Sequence, residues 1–236
     1  MNDPQAQQAT GPLLAAHRGA ASQAPENSLA AIRRAFERGA DGVEVDVRLS
    51  ADRIPVLAHD EDTRRVAGVA RPVAQQTAAE LAALDLGGGE GIPTLRQALD
   101  LVPTGKILWI DLKVEPDQLE PVLAVVPRGA PVMLQAFSMP VLANALAMRP
   151  DLPGYFLAAG RRDEATGQRG PVSLGALERV RVVGVAGLAV DHQGITDELL
   201  EAARAADVAL YVWTYPDPDT ARRSAPAGAV WVEAEL

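Results

Sequence analysis

The sequence contains no cysteine, and that absence removes several chemistries together. There is no disulfide framework, no thiolate nucleophile and no zinc site built on cysteine. Positive charge is also scarce: 22 Lys and Arg stand against 31 Asp and Glu, for a formal net charge of -9 at neutral pH. Nucleic acid backbones are bound by clustered Lys and Arg that release counterions, so nucleic acid is not an expected partner. An anionic small molecule would need a local cation. No stretch reaches the roughly 20 continuous apolar residues of a membrane-spanning helix. Met1 to Gly11 is polar, with no basic flank and no apolar run before Leu13; no secretory signal is visible, and the cytoplasm is the expected compartment. No Gly-x-Gly-x-x-Gly follows the first apolar run, which argues against a doubly wound dinucleotide-binding sheet.

With 48% of its 236 residues apolar and 22% charged, the chain has material for one large core, and residues 1–236 are expected to form a single domain. Apolar runs bounded by turn signals predict eight strands, at Leu13 to Ala16, Gly42 to Val47, Ile107 to Leu112, Val132 to Ala136, Tyr155 to Ala158, Gly187 to Val190, Val208 to Trp213 and Ala229 to Val232. Helical spacing lies between them, clearest in Ser28 to Arg38, Pro140 to Ala147 and Thr196 to Ala206. Strand then helix, repeated eight times, predicts an α/β fold: a (β/α)8 TIM-type barrel. One interval breaks the rhythm. Residues of about 50–92 carry an apolar run, Ile54 to His59, and a helical stretch, Ala78 to Leu84; they read as a small insertion after the second strand.

In such a barrel the reacting groups sit where strands end. His17 and Arg18 follow the first strand, while Glu44 and Asp46, two apart in the second, point to the same side. Asp111 and Lys113 repeat that spacing at the end of the third, and His59-Asp60 closes the run beginning at Ile54. Burying several carboxylates without a cation is very costly. Three carboxylates and no thiols point to a hard divalent ion, Mg²⁺ or Ca²⁺.

The order His17-Arg18-Gly19, Pro25-Glu26-Asn27-Ser28, Gly42-Val43-Glu44-Val45-Asp46 and Pro55-Val56-Leu57-Ala58-His59-Asp60 resembles the glycerophosphodiester phosphodiesterase family, as do Ile92-Pro93-Thr94-Leu95, Asp111-Leu112-Lys113 and Val212-Trp213-Thr214. The resemblance implies a metal-dependent hydrolase releasing glycerol 3-phosphate and an alcohol. It makes Glu44, Asp46 and Asp111 the metal ligands and His17 and His59 the general base and general acid. Arg18 and Lys113 would hold phosphate oxygens, with Trp213 as a substrate-facing wall. The implied partner is a small phosphodiester. Two other readings remain open: a lysophospholipid or other diester as substrate, and a non-catalytic binding or scaffold barrel.

Around this set, Asn27 reads as a helix cap and Glu26 as a support for the metal ligands or a helix-terminal charge. Gln135 and His192 lie near other strand ends, and Arg161, Arg162 and Arg169 read as a solvated run. The chain departs from the family pattern at Asp111, where Glu is usual, and at Arg96 and Ala136-Phe137, which are expected to lie away from the catalytic core. The eighth strand leads through Trp231-Val232-Glu233 almost directly to Leu236. The expectation is that the last outer helix is missing and that its groove is covered by the N-terminal segment or by a second subunit in a homo-oligomer.

Overall fold

The computed structural model describes residues 12–236. It opens with β1 (Leu13–Ala16), α1 (Leu29–Glu37) and β2 (Gly42–Leu49). An excursion follows, through β3 (Pro55–Leu57), α2 (Arg64–Ala67), α3 (Ala78–Ala82) and α4 (Leu95–Leu99). Strand and helix then alternate: β4 (Ile107–Leu112), α5 (Leu119–Ala124), β5 (Val132–Ala136), α6 (Met139–Met148), β6 (Gly154–Ala158), α7 (Gly175–Val183), β7 (Gly187–Asp191), α8 (Asp197–Ala205), β8 (Ala209–Tyr215), α9 (Pro218–Ser224) and β9 (Ala229–Ala234). β1 pairs in parallel with both β2 and β9, which closes eight parallel strands into a barrel. β3 is the exception, antiparallel to the far end of β2.

The closed sheet is a TIM barrel, and its elements lie where hydrophobic periodicity put them. α1 starts at Ser28, whose side chain accepts from the Ala31 N–H, and buries Ala31, Ile32 and Ala35 against the sheet. Asn27, read as the cap, sits one residue too early for that bond and points elsewhere. The excursion has a small core of its own around Val56, Val73, Leu81 and Ile92. Thr77 with Glu80 and Thr94 with Gln97 form capping boxes at the starts of α3 and α4. After β9 the described chain runs through Glu235 to a buried Leu236, whose carbonyl accepts from the Ser22 N–H and hydroxyl. The N-terminal segment invoked as a groove cover lies outside the described residues. Among those residues no helix is long and apolar enough to cross a membrane.

Most of the apolar core lies between the sheet and the helices, but the barrel interior is filled separately by aromatic rings. Trp109 stacks on Tyr211 at 4.3 Å and meets Tyr155 and Trp231 edge-on at 4.9 and 5.4 Å. Offset and edge-on pairs add to the large area such rings bury. This plug is the floor on which the polar mouth is built. Trp109→Ala is therefore expected to cost about 3–5 kcal/mol, the range for truncating a buried Phe or Trp; a denaturant midpoint unchanged from wild type would show that the plug does not carry the barrel.

Candidate active site

Strand register brings the acidic groups together. Asp46 of β2 is level with Asp111 of β4, which is level with Gln135 of β5, and Glu44 lies two residues below Asp46 on the same face. Glu44, Asp46 and Asp111 are all buried, and each offers a carboxylate oxygen within 4.8 Å of the others'. Burial, then Asp46, Glu233 and Asp111, push the Glu44 carboxyl well above its ordinary range. Burial likewise raises Asp111, to about 6, against the pull of Lys113. Asp46 goes the other way: burial works against its charge, but Lys113, Arg18, His59 and Asn27 outweigh it. Asp111 Oδ1 and Gln135 Oε1 are buried acceptors with no donor. Clustered carboxylates that resist ionisation, beside acceptors lacking donors, are what a hard divalent cation would relieve, and this trio could hold one.

Two cations flank the trio. Lys113 Nζ lies 2.5 Å from Asp111 Oδ2 and 3.4 Å from Asp46 Oδ1. Arg18 reaches the site through a tight turn. Its φ is +54°, rare for a side-chain-bearing residue, and its N–H donates to Glu44 Oε2 at 3.1 Å. Its guanidinium donates to Glu26 Oε1 at 2.9 Å and lies 3.3 Å from Asp46 Oδ2. The turn continues into Gly19 at φ +84°, where a Cβ would sit 2.6 Å from the Ala31 backbone, so only glycine fits. Asn27, also left-handed at φ +56°, donates to Asp46 Oδ2 at 2.9 Å and accepts the Asp46 N–H at 3.1 Å. Thus the residue read as a helix cap instead clamps a carboxylate of the trio.

Both imidazoles are held by carboxylates at Nδ1. His17 Nδ1 lies 2.6 Å from Glu235 Oε1, and His59 Nδ1 lies 2.7 Å from Asp60 Oδ1. A carboxylate can only accept, so these pairings assign the proton to Nδ1 in each ring and leave Nε2 as the exchanging nitrogen. Burial works against charge on His17, but Glu233 and Glu235 outweigh it and raise its pKa. Hydrogen bonding from Arg65 keeps Asp60 ionised, with a pKa of about 2.

One cavity of about 240 Å³ is lined by His17, Arg18, Glu44, Asp46, His59, Asp111, Lys113 and Trp213 together. Gln135 lines it too. His192 does not: it packs on Tyr215 at 4.9 Å, 3.9 Å from Asp191. Arg161 and Arg162 are exposed, whereas Arg169 turns inward, ion-paired to Asp191 at 2.9 Å and 6.0 Å from the Trp213 ring. Phe137, expected away from the core, forms part of the cavity wall, edge-on to Trp213 at 5.7 Å with Lys113 over its face at 5.5 Å. Arg96 stays outside on α4. Sequence reasoning missed Glu233 and Glu235. Glu233 accepts hydrogen bonds from Tyr211 and Thr214 and lies 3.9 Å from His17 Nε2. The available signal was their two-residue spacing, Glu233 in the last strand and Glu235 just past its end, the same spacing as Glu44 and Asp46.

A model of the glycerophosphoryl diester phosphodiesterase family matches residues 17–233. A Caldanaerobacter subterraneus glycerophosphodiester phosphodiesterase is 41% identical over 97 residues, covering 38% of this chain and 40% of that protein. An Arabidopsis thaliana glycerophosphodiester phosphodiesterase is 29% identical over 229 residues, covering 90% of this chain and 67% of that protein. The chain thus spans well under two thirds of the length of several curated relatives it matches. Among solved structures, an Oleispira antarctica phosphodiesterase in complex with the product sn-glycerol-3-phosphate superposes with a TM-score of 0.83 at 26% identity, covering 97% of this chain and 95% of that one. A Thermotoga maritima glycerophosphodiester phosphodiesterase gives 0.78 at 28% identity, covering 95% and 94%.

Proposed function

This chain belongs to the glycerophosphoryl diester phosphodiesterase family, and we propose that it hydrolyses glycerophosphodiesters to glycerol 3-phosphate and an alcohol. The observation that carries the proposal is the meeting of two carboxylate-held imidazoles with a buried carboxylate trio around one cavity. A phosphate diester needs its charge neutralised, a nucleophile deprotonated and a leaving oxygen protonated, and each task has a candidate here.

Arg18 and Lys113 are suited to grip the non-bridging oxygens, because both are cations fixed in place by carboxylates. Glu44, Asp46 and Asp111 would hold Mg²⁺ or Ca²⁺, which when bound would supply further stabilisation of charge on those oxygens. His17 Nε2 takes the proton from a water as that oxygen bonds to phosphorus, or from the adjacent substrate hydroxyl, in which case the cyclic phosphate formed is opened to glycerol 3-phosphate by a water in a second displacement; Glu235 orients the ring. His59 donates its proton to the departing alkoxide as the second P–O bond breaks, and Asp60 orients it. Trp213 and Phe137 form the apolar wall against which the organic part of the substrate lies.

Phe137 is half exposed at the mouth, and that favours testing a second substrate class, lysophospholipids, on the same machinery. The experiment is direct. Release of glycerol 3-phosphate from diesters of varied alcohols is measured with Mg²⁺, with Ca²⁺ and with chelator. The expected result is metal-dependent release from at least one of them. Absence of turnover on every diester and lysophospholipid, with metal producing no rise in melting temperature, would leave the non-catalytic barrel as the reading.

A further inference from the structure

α2 is a single turn with no buried residue and no side-chain cap, so packing does not explain why it is held against the barrel. Its Arg65 does. Nε donates to Asp60 Oδ2 at 2.6 Å, while Nη1 and Nη2 donate as a fork to Glu26 Oε2 and Oε1 at 2.6 and 2.7 Å. Both acceptors are already engaged in the site. The other oxygen of Asp60 holds His59 Nδ1 at 2.7 Å, and Glu26 Oε1 also accepts from Arg18 Nη1 at 2.9 Å. One guanidinium therefore joins the ring that moves a proton to the cation that grips phosphate, through a continuous chain from His59 through Asp60, Arg65 and Glu26 to Arg18.

We infer that Arg65 is a positioning residue that sets His59 and Arg18 simultaneously, so that the docked insertion is a condition for both proton donation and phosphate binding. The inference rests on the phosphodiesterase reading above. Arginine is the residue that can do this: its planar fork satisfies two carboxylates in fixed directions, whereas a lysine ammonium is a point charge that fixes neither. Among the described residues, Asp60 has no other hydrogen-bond partner than His59 and Arg65. Without Arg65 its carboxylate is free to rotate. Glu26, released on one side, then collapses fully onto Arg18 and competes with the substrate for it.

A purely structural role for Arg65 predicts a uniform loss, and a positioning role does not. The test uses the full chain with Arg65→Gln and Arg65→Lys, an alkyl glycerophosphodiester, and the p-nitrophenyl ester of glycerol 3-phosphate, whose leaving group departs without a proton. For Arg65→Gln, kcat on the alkyl diester is expected to fall about 10–100-fold, the range for losing a partner that orients a reacting group. The fall on the p-nitrophenyl ester is expected to be far smaller, because that reaction does not use His59 as an acid. Inhibition by glycerol 3-phosphate, which reads Arg18, is expected to weaken about tenfold. Arg65→Lys is expected to restore neither property. Equal losses on both esters, full rescue by lysine, or unchanged kinetics would each overturn the inference while leaving the phosphodiesterase reading standing. A wild-type protein that cleaves neither ester overturns both.

Discussion

His17→Ala is expected to lower kcat for glycerophosphodiester hydrolysis by about 10²–10⁴-fold, the usual contribution of a positioned acid or base, on both alkyl and p-nitrophenyl esters. His17 Nδ1 is tied to Glu235, so the ring has one nitrogen with which to take a proton, and the other imidazole lining the cavity, His59, is the one assigned to the leaving oxygen. His59→Ala should separate from it. Loss of a general acid is severe only where the leaving alcohol must be protonated, so the p-nitrophenyl ester should recover most of its rate. The pair thus assigns base and acid by a pattern of rates, and stability is expected to change little because both side chains are only partly enclosed. Identical patterns for the two variants would defeat the division of roles, and full activity in either would remove that histidine from the reaction.

The second large effect concerns the carboxylate trio. Glu44→Gln is expected to abolish both the rise in melting temperature caused by Mg²⁺ or Ca²⁺ and the metal-dependent activity. In the wild type, ion at about one hundred times its dissociation constant should stabilise the fold by about 2.7 kcal/mol. The pH dependence follows from burial. Asp111 titrates at about 6 and Glu44 well above its ordinary value, so protons compete with the ion and metal affinity should fall as pH drops through about 6. Without metal the sign reverses. A carboxyl whose folded pKa is raised favours the folded state when protonated: its contribution is complete below the unfolded value, near 3.9 for Asp, and is lost as pH rises through the folded one. Between about pH 4 and 6 the folded protein binds more protons than the unfolded chain at these groups, so their contribution falls as pH rises. Thermal melts with and without ion across that window should converge at the acid end. A metal-induced shift that persists undiminished at pH 4.5 would contradict the trio as the ligand set.

Asp111 stands where the resembled family pattern has Glu. Asp is one methylene shorter than the usual Glu, and here Lys113 draws close to Asp111 Oδ2 while the other oxygen remains without a donor. Backbone register sets Asp111 level with Asp46 across β2 and β4 whatever the side chain's length, and the shorter arm still brings its carboxylate within 4.8 Å of those of Glu44 and Asp46.

Much of this was legible in the chain before any coordinates. Strand periodicity located all eight barrel strands to within a few residues, because a strand buried on both faces must be apolar along its length and must stop at turn residues. Two-residue spacing likewise put Glu44 with Asp46 on one side, since side chains alternate along a strand. Contacts between segments far apart in sequence were another matter. That Asn27 clamps Asp46 rather than capping α1, that Glu235 holds His17 across 218 residues, and that Arg65 bridges Glu26 and Asp60 are properties of which loops share the barrel mouth. Phe137 entered the cavity for the same reason: closure of the sheet brings β5 and β8 ends together, although the sequence separates them by more than seventy residues.

The sequence by itself determined the alternation, the strands and the polar residues at their ends, because these follow from side-chain chemistry and local backbone geometry. Only the closed barrel decided which of those groups meet and which carboxylates lose water. Their proton affinities depend on neighbours and burial that exist only after the ring of strands has shut.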